Sequence, residues 1–67
     1  MCRSIKTLRG QEPSPSDDEV VAAALQFVRK ISGYRKPSQK NAAAFDAAVA
    51  DVAEATRRLL AGLGSPL

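Results

Sequence analysis

A chain of 67 residues with a formal net charge of +3 is at most one domain, and one that buries only about 60% of the surface its unfolded form exposes. One cysteine and no histidine exclude an internal disulfide and leave too few soft ligands for an ordinary zinc site, so no cofactor or metal is expected. No apolar run approaches the ~18 residues of a membrane span, and ten Lys and Arg against seven Asp and Glu point only weakly to anionic partners, so the placement of charge matters more than its sum.

In chain order, residues 1–10 form a short basic segment carrying Arg3, Lys6 and Arg9. It lacks the apolar h-region of a signal peptide, which makes the cytoplasm the expected location. Residues 11–15 are a Pro- and Ser-containing connector. A first helix over 16–32 is announced by Ser16-Asp17-Asp18-Glu19, a capping box in which the Ser16 hydroxyl takes the Glu19 N–H and the Glu19 carboxylate reaches back. Asp17 and Asp18 suit the positive end of the helix dipole, Arg29 and Lys30 the negative end, and Gly33 is free to close the helix in the left-handed conformation. Val20, Ala24, Phe27, Val28 and Ile31 make one apolar stripe, widened by Val21 and Leu25, which implies more than one neighbour.

Residues 33–38 are a turn. Pro37 disfavours helical geometry at Lys36, and Ser38 is placed to cap a second helix over 39–61, with Gly62 and Gly64 as terminators. Along that helix Ala42, Phe45, Val49, Val52, Thr56, Leu59 and Leu63 recur at alternating steps of three and four, a heptad seam that has to be buried against another helix. Alanines leave much of the remaining surface smooth, and Glu54 stands i to i+4 from Arg58 on an ordinary solvated face. These elements predict an all-α helical hairpin, its second helix longer by about two turns, with the N-terminal segment packed across it through Ile5 and Leu8. So small a core also favours a homodimer through Phe45, Val49, Val52, Thr56, Leu59 and Leu63.

Two places can carry function. Between Val20 and Phe45 five cations, Arg29, Lys30, Arg35, Lys36 and Lys40, occur without one acidic residue. Gathered around a turn whose following helix opens with unbonded N–H groups, they resemble an anion-binding corner, and Tyr34 offers a ring for stacking on a base. The competing reading is structural: Lys and Arg satisfy helix C-terminal carbonyls, and a Tyr after a terminal Gly packs back on the helix. The second helix shows no base-reading face beyond Gln39, Lys40 and Asn41, which speaks against sequence-specific DNA recognition. The second place is Cys2, which becomes the N-terminal residue if Met1 is removed. Its thiolate would be favoured by Arg3 and Lys6, a setting for redox or metal handling, whereas the plain reading is a small apolar residue at the terminus. With no His, and with carboxylates on helix starts and solvent faces, no general base stands near Cys2, Ser4 or Tyr34, so an enzyme is not expected.

Met1-Cys2-Arg3, Ile5-Lys6-Thr7-Leu8, Glu12-Pro13, the run from Ala22 to Gly33 containing Leu-Gln-Phe-Val-Arg-Lys-Ile-Ser-Gly, and Lys36-Pro37-Ser38 resemble a small bacterial family of unknown function over nearly the whole chain. The resemblance implies a short stand-alone protein and brings no activity. This chain departs from the pattern at Ser4, where Asn is usual, and at Arg9-Gly10-Gln11, where an aromatic-Asn-aromatic segment is usual, which implies a looser N-terminal segment. The expected function is that of an interaction or adaptor protein. Arg29, Lys30, Tyr34, Arg35, Lys36, Lys40, Arg3, Lys6 and Arg9 would meet a protein complex or RNA, with no membrane and no small-molecule substrate; the alternative is a Cys2-centred redox or metal-handling protein.

Overall fold

The computed structural model describes residues 5–11 and 13–64. Two helices form a hairpin: α1, Asp17–Ser32, and α2, Ala42–Gly62, the latter entered through a single 3-10 turn, Gln39–Asn41. At 1.5 Å per residue α2 is about 31 Å long and α1 about 24 Å, which accounts for the elongated 38 × 21 × 17 Å shape.

The start of α1 follows from its first four residues. Ser16 is extended at φ −77°, ψ 163° and its hydroxyl accepts the Glu19 N–H, while the Ser16 N–H donates to Glu19 Oε1 at 3.1 Å. Pro15 just before the cap and Val20 four residues into the helix are both fully buried, at the two positions whose apolar pairing sets the angle at which the chain enters a helix. The end of α1 is equally specific: Gly33 takes φ 76° and its N–H donates to the Arg29 carbonyl at 3.0 Å. Ser38 behaves differently from expectation. It caps no helix with its side chain; the backbone closes a 3-10 turn instead, through the Asn41 N–H on the Ser38 carbonyl at 3.0 Å, and regular α geometry starts at Ala42.

The core is a cluster of Leu8, Val20, Ala24, Ala53 and Leu60, with Ala23, Val49 and Val52 packed against it; Val28 and Phe45 are buried towards the turn. Leu8 arrives from a β-turn in which the Gln11 N–H donates to the Leu8 carbonyl at 3.2 Å and Gly10 sits at φ 77°, a conformation that a type II turn reserves for Gly at its third position. One clamp holds the register of the two helices: the Arg57 guanidinium forks onto both oxygens of Asp17.

The heptad seam is only partly the buried face. Phe45 is buried and Val49, Val52 and Thr56 are half-buried, yet further on it is Ala53 and Leu60 that fill the core while Leu59 and Leu63 are 58% and 56% exposed. A straight helix turns 100° per residue, so residues spaced by seven fall behind by about 20° per heptad. Without supercoiling, the buried line slips to later positions, from Val52 towards Ala53 and from Leu59 to Leu60. Thr56 fits because its hydroxyl donates to the Val52 carbonyl at 2.7 Å, satisfied on its own helix. The α1 stripe is likewise narrower than its sequence suggests. Val20, Ala24 and Val28 are buried, whereas Val21, Phe27 and Ile31 are 36%, 43% and 68% exposed, because among the described residues the hairpin offers α1 only α2 and the Leu8 segment as neighbours.

Candidate functional site

Two surfaces stand out, a basic hollow at the turn and an apolar groove beside the N-terminal segment. The hollow, about 310 Å³, is lined by Gln26, Arg29, Lys30, Gly33, Tyr34 and Arg35. Gly33 makes it: by ending α1 in the left-handed conformation it turns the chain back, and Arg29 Nε then donates to the Arg35 carbonyl at 2.9 Å, fastening the loop over the helix end. Ser32 Oγ accepts the Tyr34 N–H at 3.1 Å, so both polar groups at the bend are used locally. The Tyr34 hydroxyl accepts from Asn41 Nδ2 at 3.4 Å, and its ring is 43% exposed, bridging the turn and the start of α2.

Charge is distributed unevenly between this hollow and the rest of the surface. The ion pairs among the described residues are Lys6 with Glu19, Arg57 with Asp17, and Arg58 with Glu54; none takes a cation of the turn, and no carboxylate lines the hollow. Of the expected site residues, the fold brings together Arg29, Lys30, Tyr34 and Arg35. Lys36 and Lys40 are exposed nearby but do not line the hollow. Lys6 lies elsewhere: its Nζ is 2.6 Å from Glu19 Oε2, ten residues and so about 15 Å of helix from Arg29. Cys2 and Arg3, the reactive-thiol candidate and its neighbouring cation, lie outside the described residues.

Around Glu19 the contacts reinforce one another. Its carboxylate also accepts from Gln11 Nε2 at 2.9 and 3.1 Å, and the hydrogen bonds from Lys6, Gln11 and the Ser16 N–H together pull its pKa from the ordinary 4.5 to about 2. Asp17 is lowered as well, chiefly by the hydrogen bond from Arg57, whose own pKa rises for the same reason. These carboxylates hold the N-terminal segment and α2 onto the start of α1 and are unsuited to proton transfer near neutrality. Among the described residues no cluster of three or more His, Cys, Asp or Glu is placed to hold a metal, and no helix is long and apolar enough to cross a membrane.

The groove was not visible in the sequence. It has a volume of about 340 Å³ and runs between residues 5–9, Ala23 and Phe27 of α1, and Val52 to Leu63 of α2. The burial of Leu8 and Leu60 gives it a floor, and the exposed parts of Phe27, Leu59 and Leu63 give it walls. Phe27 and Leu59 were readable as apolar residues at the margin of their stripes. That the margins face each other depends on the packing of the hairpin. The expected dimer seam is thereby divided, since Phe45, Val49, Val52 and Thr56 are covered to differing degrees by the chain itself and only Leu59 and Leu63 remain mostly exposed.

Comparison with known families matches residues 1–66 to the model of an uncharacterised conserved protein family, DUF2277. No curated protein and no solved structure matches the chain.

Proposed function

The chain belongs to the uncharacterised conserved family DUF2277, which carries no activity with it, and we propose that it is a small interaction protein that binds an acidic protein partner through the basic turn. The observation that carries this reading is the hollow lined by Arg29, Lys30 and Arg35 with no carboxylate of the described residues among its walls, while Asp17, Glu19 and Glu54 are engaged elsewhere. Cations held together without their own counter-charges favour an anionic surface, both in the encounter and in the final orientation. A protein is preferred to RNA because the turn supplies one aromatic ring rather than a series of stacking platforms, and because exposed Phe27, Ile31, Leu59 and Leu63 offer apolar contact that a phosphate backbone does not use. The role is binding without catalysis, in keeping with the absence of histidine.

The test is affinity isolation of the full chain from its own cells, with native mass spectrometry before and after nuclease, alongside Lys30→Glu and Arg35→Glu. Neither side chain takes part in the ion pairs described above, and circular dichroism of both variants checks that the helices remain. A protein partner that survives nuclease and is lost or weakened about tenfold in both variants supports the reading. A ligand removed by nuclease, with affinity collapsing between 50 and 200 mM salt as phosphate contacts require, replaces it with RNA binding. A partner indifferent to both charge reversals sinks the basic turn as the contact. A homodimer through the Leu59 and Leu63 end would show in the same spectra as a doubled mass.

A further inference from the structure

We infer that the apolar groove receives an amphipathic helix of the partner, about three turns long and flanked by carboxylates; this rests on the proposed interaction role and adds where and in what form the partner docks.

The form follows from the groove's shape. Its α2 wall, from Val52 to Leu63, spans twelve residues, about 16 Å or three helical turns. An extended peptide would gain no backbone hydrogen bonds by strand addition, since the described residues contain no strand. A helix satisfies its own backbone and presents only side chains, which is how helix-in-groove recognition works, through anchors at i, i+3 or i+4, and i+7. The walls suit such anchors: Phe27, Leu59 and Leu63 are 43%, 58% and 56% exposed, and they face one space together with Ile5.

The charge of the rim decides the occupant. Among the described residues, Lys6 and Arg9 line the groove and no carboxylate does. Lys6 is already bonded to Glu19, so Arg9 carries most of the charge at that end. Lys30, three residues beyond Phe27, projects from the same side of α1 and also lines the basic hollow, so it joins the groove's other end to the turn. An acidic helix is complementary to this rim, whereas a second copy seated face to face would set the same cations against one another.

The experiment displays a random library of about 14-residue peptides to the full chain, maps the best binders by amide shifts, and repeats the titration with Leu59→Ser, Leu63→Ser and Arg35→Glu. The serine variants replace exposed side chains, so their spectra should keep the parent's dispersion. The expected result is a set of net-acidic binders with helical apolar spacing, which shift Phe27, Leu59 and Leu63 and bind the two serine variants at least about tenfold more weakly. Basic or non-periodic binders, no binders at all, or a dimer in sedimentation that Leu59→Ser dissolves would overturn the inference. A natural partner sensitive to Arg35→Glu but indifferent to both serine variants would overturn the groove while leaving the basic turn standing. The reverse pattern would leave the groove and remove the turn.

Discussion

At the end of the hairpin where the N-terminal segment lies, charged groups are matched within the chain and Leu8 packs with Val20 and Leu60, beside a groove whose Leu59 and Leu63 walls stay open: Asp17 holds Arg57, and Glu19 holds Lys6 and Gln11. At the turn the opposite holds. Arg29, Lys30 and Arg35 surround a hollow without a carboxylate, and Ile31, one turn beyond Phe27, is 68% exposed. α1 is well capped at both ends, so the difference lies in what the side chains meet beyond the backbone. The first end uses its charges to stabilise the fold and leaves only apolar groove walls open, whereas the second leaves its cations available to another molecule.

The sharpest way to break that comparison is to truncate an apolar side chain at each end. Leu8→Ala removes a core residue that is 7% exposed, and large-to-small changes at buried Leu cost about 2 to 5 kcal/mol, enough in so small a domain to abolish a cooperative urea transition. Ile31→Ala removes more exposed surface and should move the midpoint hardly at all. If the two variants unfold alike, the turn end is covered in solution and the contrast is lost. Gly33→Ala comes next. A Cβ there meets nothing within 4 Å, so the only cost is holding a non-glycine residue at φ 76°, about 1 to 2 kcal/mol. Circular dichroism should show that loss of stability, together with weaker partner binding, because Gly33 brings Arg35 back over Arg29.

The hairpin itself was legible in the residues. Ser16 to Glu19 marked the start of α1 and Gly33 its end because capping is local chemistry, readable within four residues. Leu8, in the segment expected to lie across the helices, is buried with Val20, Ala24, Ala53 and Leu60. The second helix was harder. Its heptad period named Leu59 as a buried residue, and the structure buries Leu60, because the period specifies a stripe only for a supercoiled pair while two short helices pack straight. Ser38 had the right residue type for a cap, but Pro37 and the 3-10 turn place it one turn ahead of α2. Of the candidate site, the basic turn could be read from five cations within twelve residues, Arg29 to Lys40. The pairing of Lys6 with Glu19, thirteen positions away, and the groove could not, since both depend on where the N-terminal segment crosses α1.

Acid should expose the matched end before the open one. Glu19 titrates near 2 in the folded chain against an ordinary 4.5, and Asp17 is shifted in the same direction. A carboxylate depressed by folding contributes stability that is complete above its unfolded value and lost as the folded value is approached. The urea midpoint should therefore be flat from neutrality to about pH 5, then fall between 4.5 and 2. Glu19→Gln should flatten part of that fall and lower the neutral midpoint by a corresponding amount, since the stability lost in acid is what the ionised carboxylate supplies at neutrality. A fall of unchanged size would mean that Lys6 and Gln11 do not hold Glu19 in solution.

The smallest expected effect bears on whether the outer face of α2 belongs to either end. Glu54 and Arg58 pair at 2.8 Å with both side chains about two-thirds exposed, an i to i+4 contact worth a few tenths of a kcal/mol and screened by salt. Glu54→Ala should shift the urea midpoint by no more than that, and high salt should erase the difference. A cost several times larger, persisting in salt, would mean that this face is buried against another molecule. The acidic flank of α2, rather than the cationic turn, would then be the principal contact, and the partner it calls for would be basic.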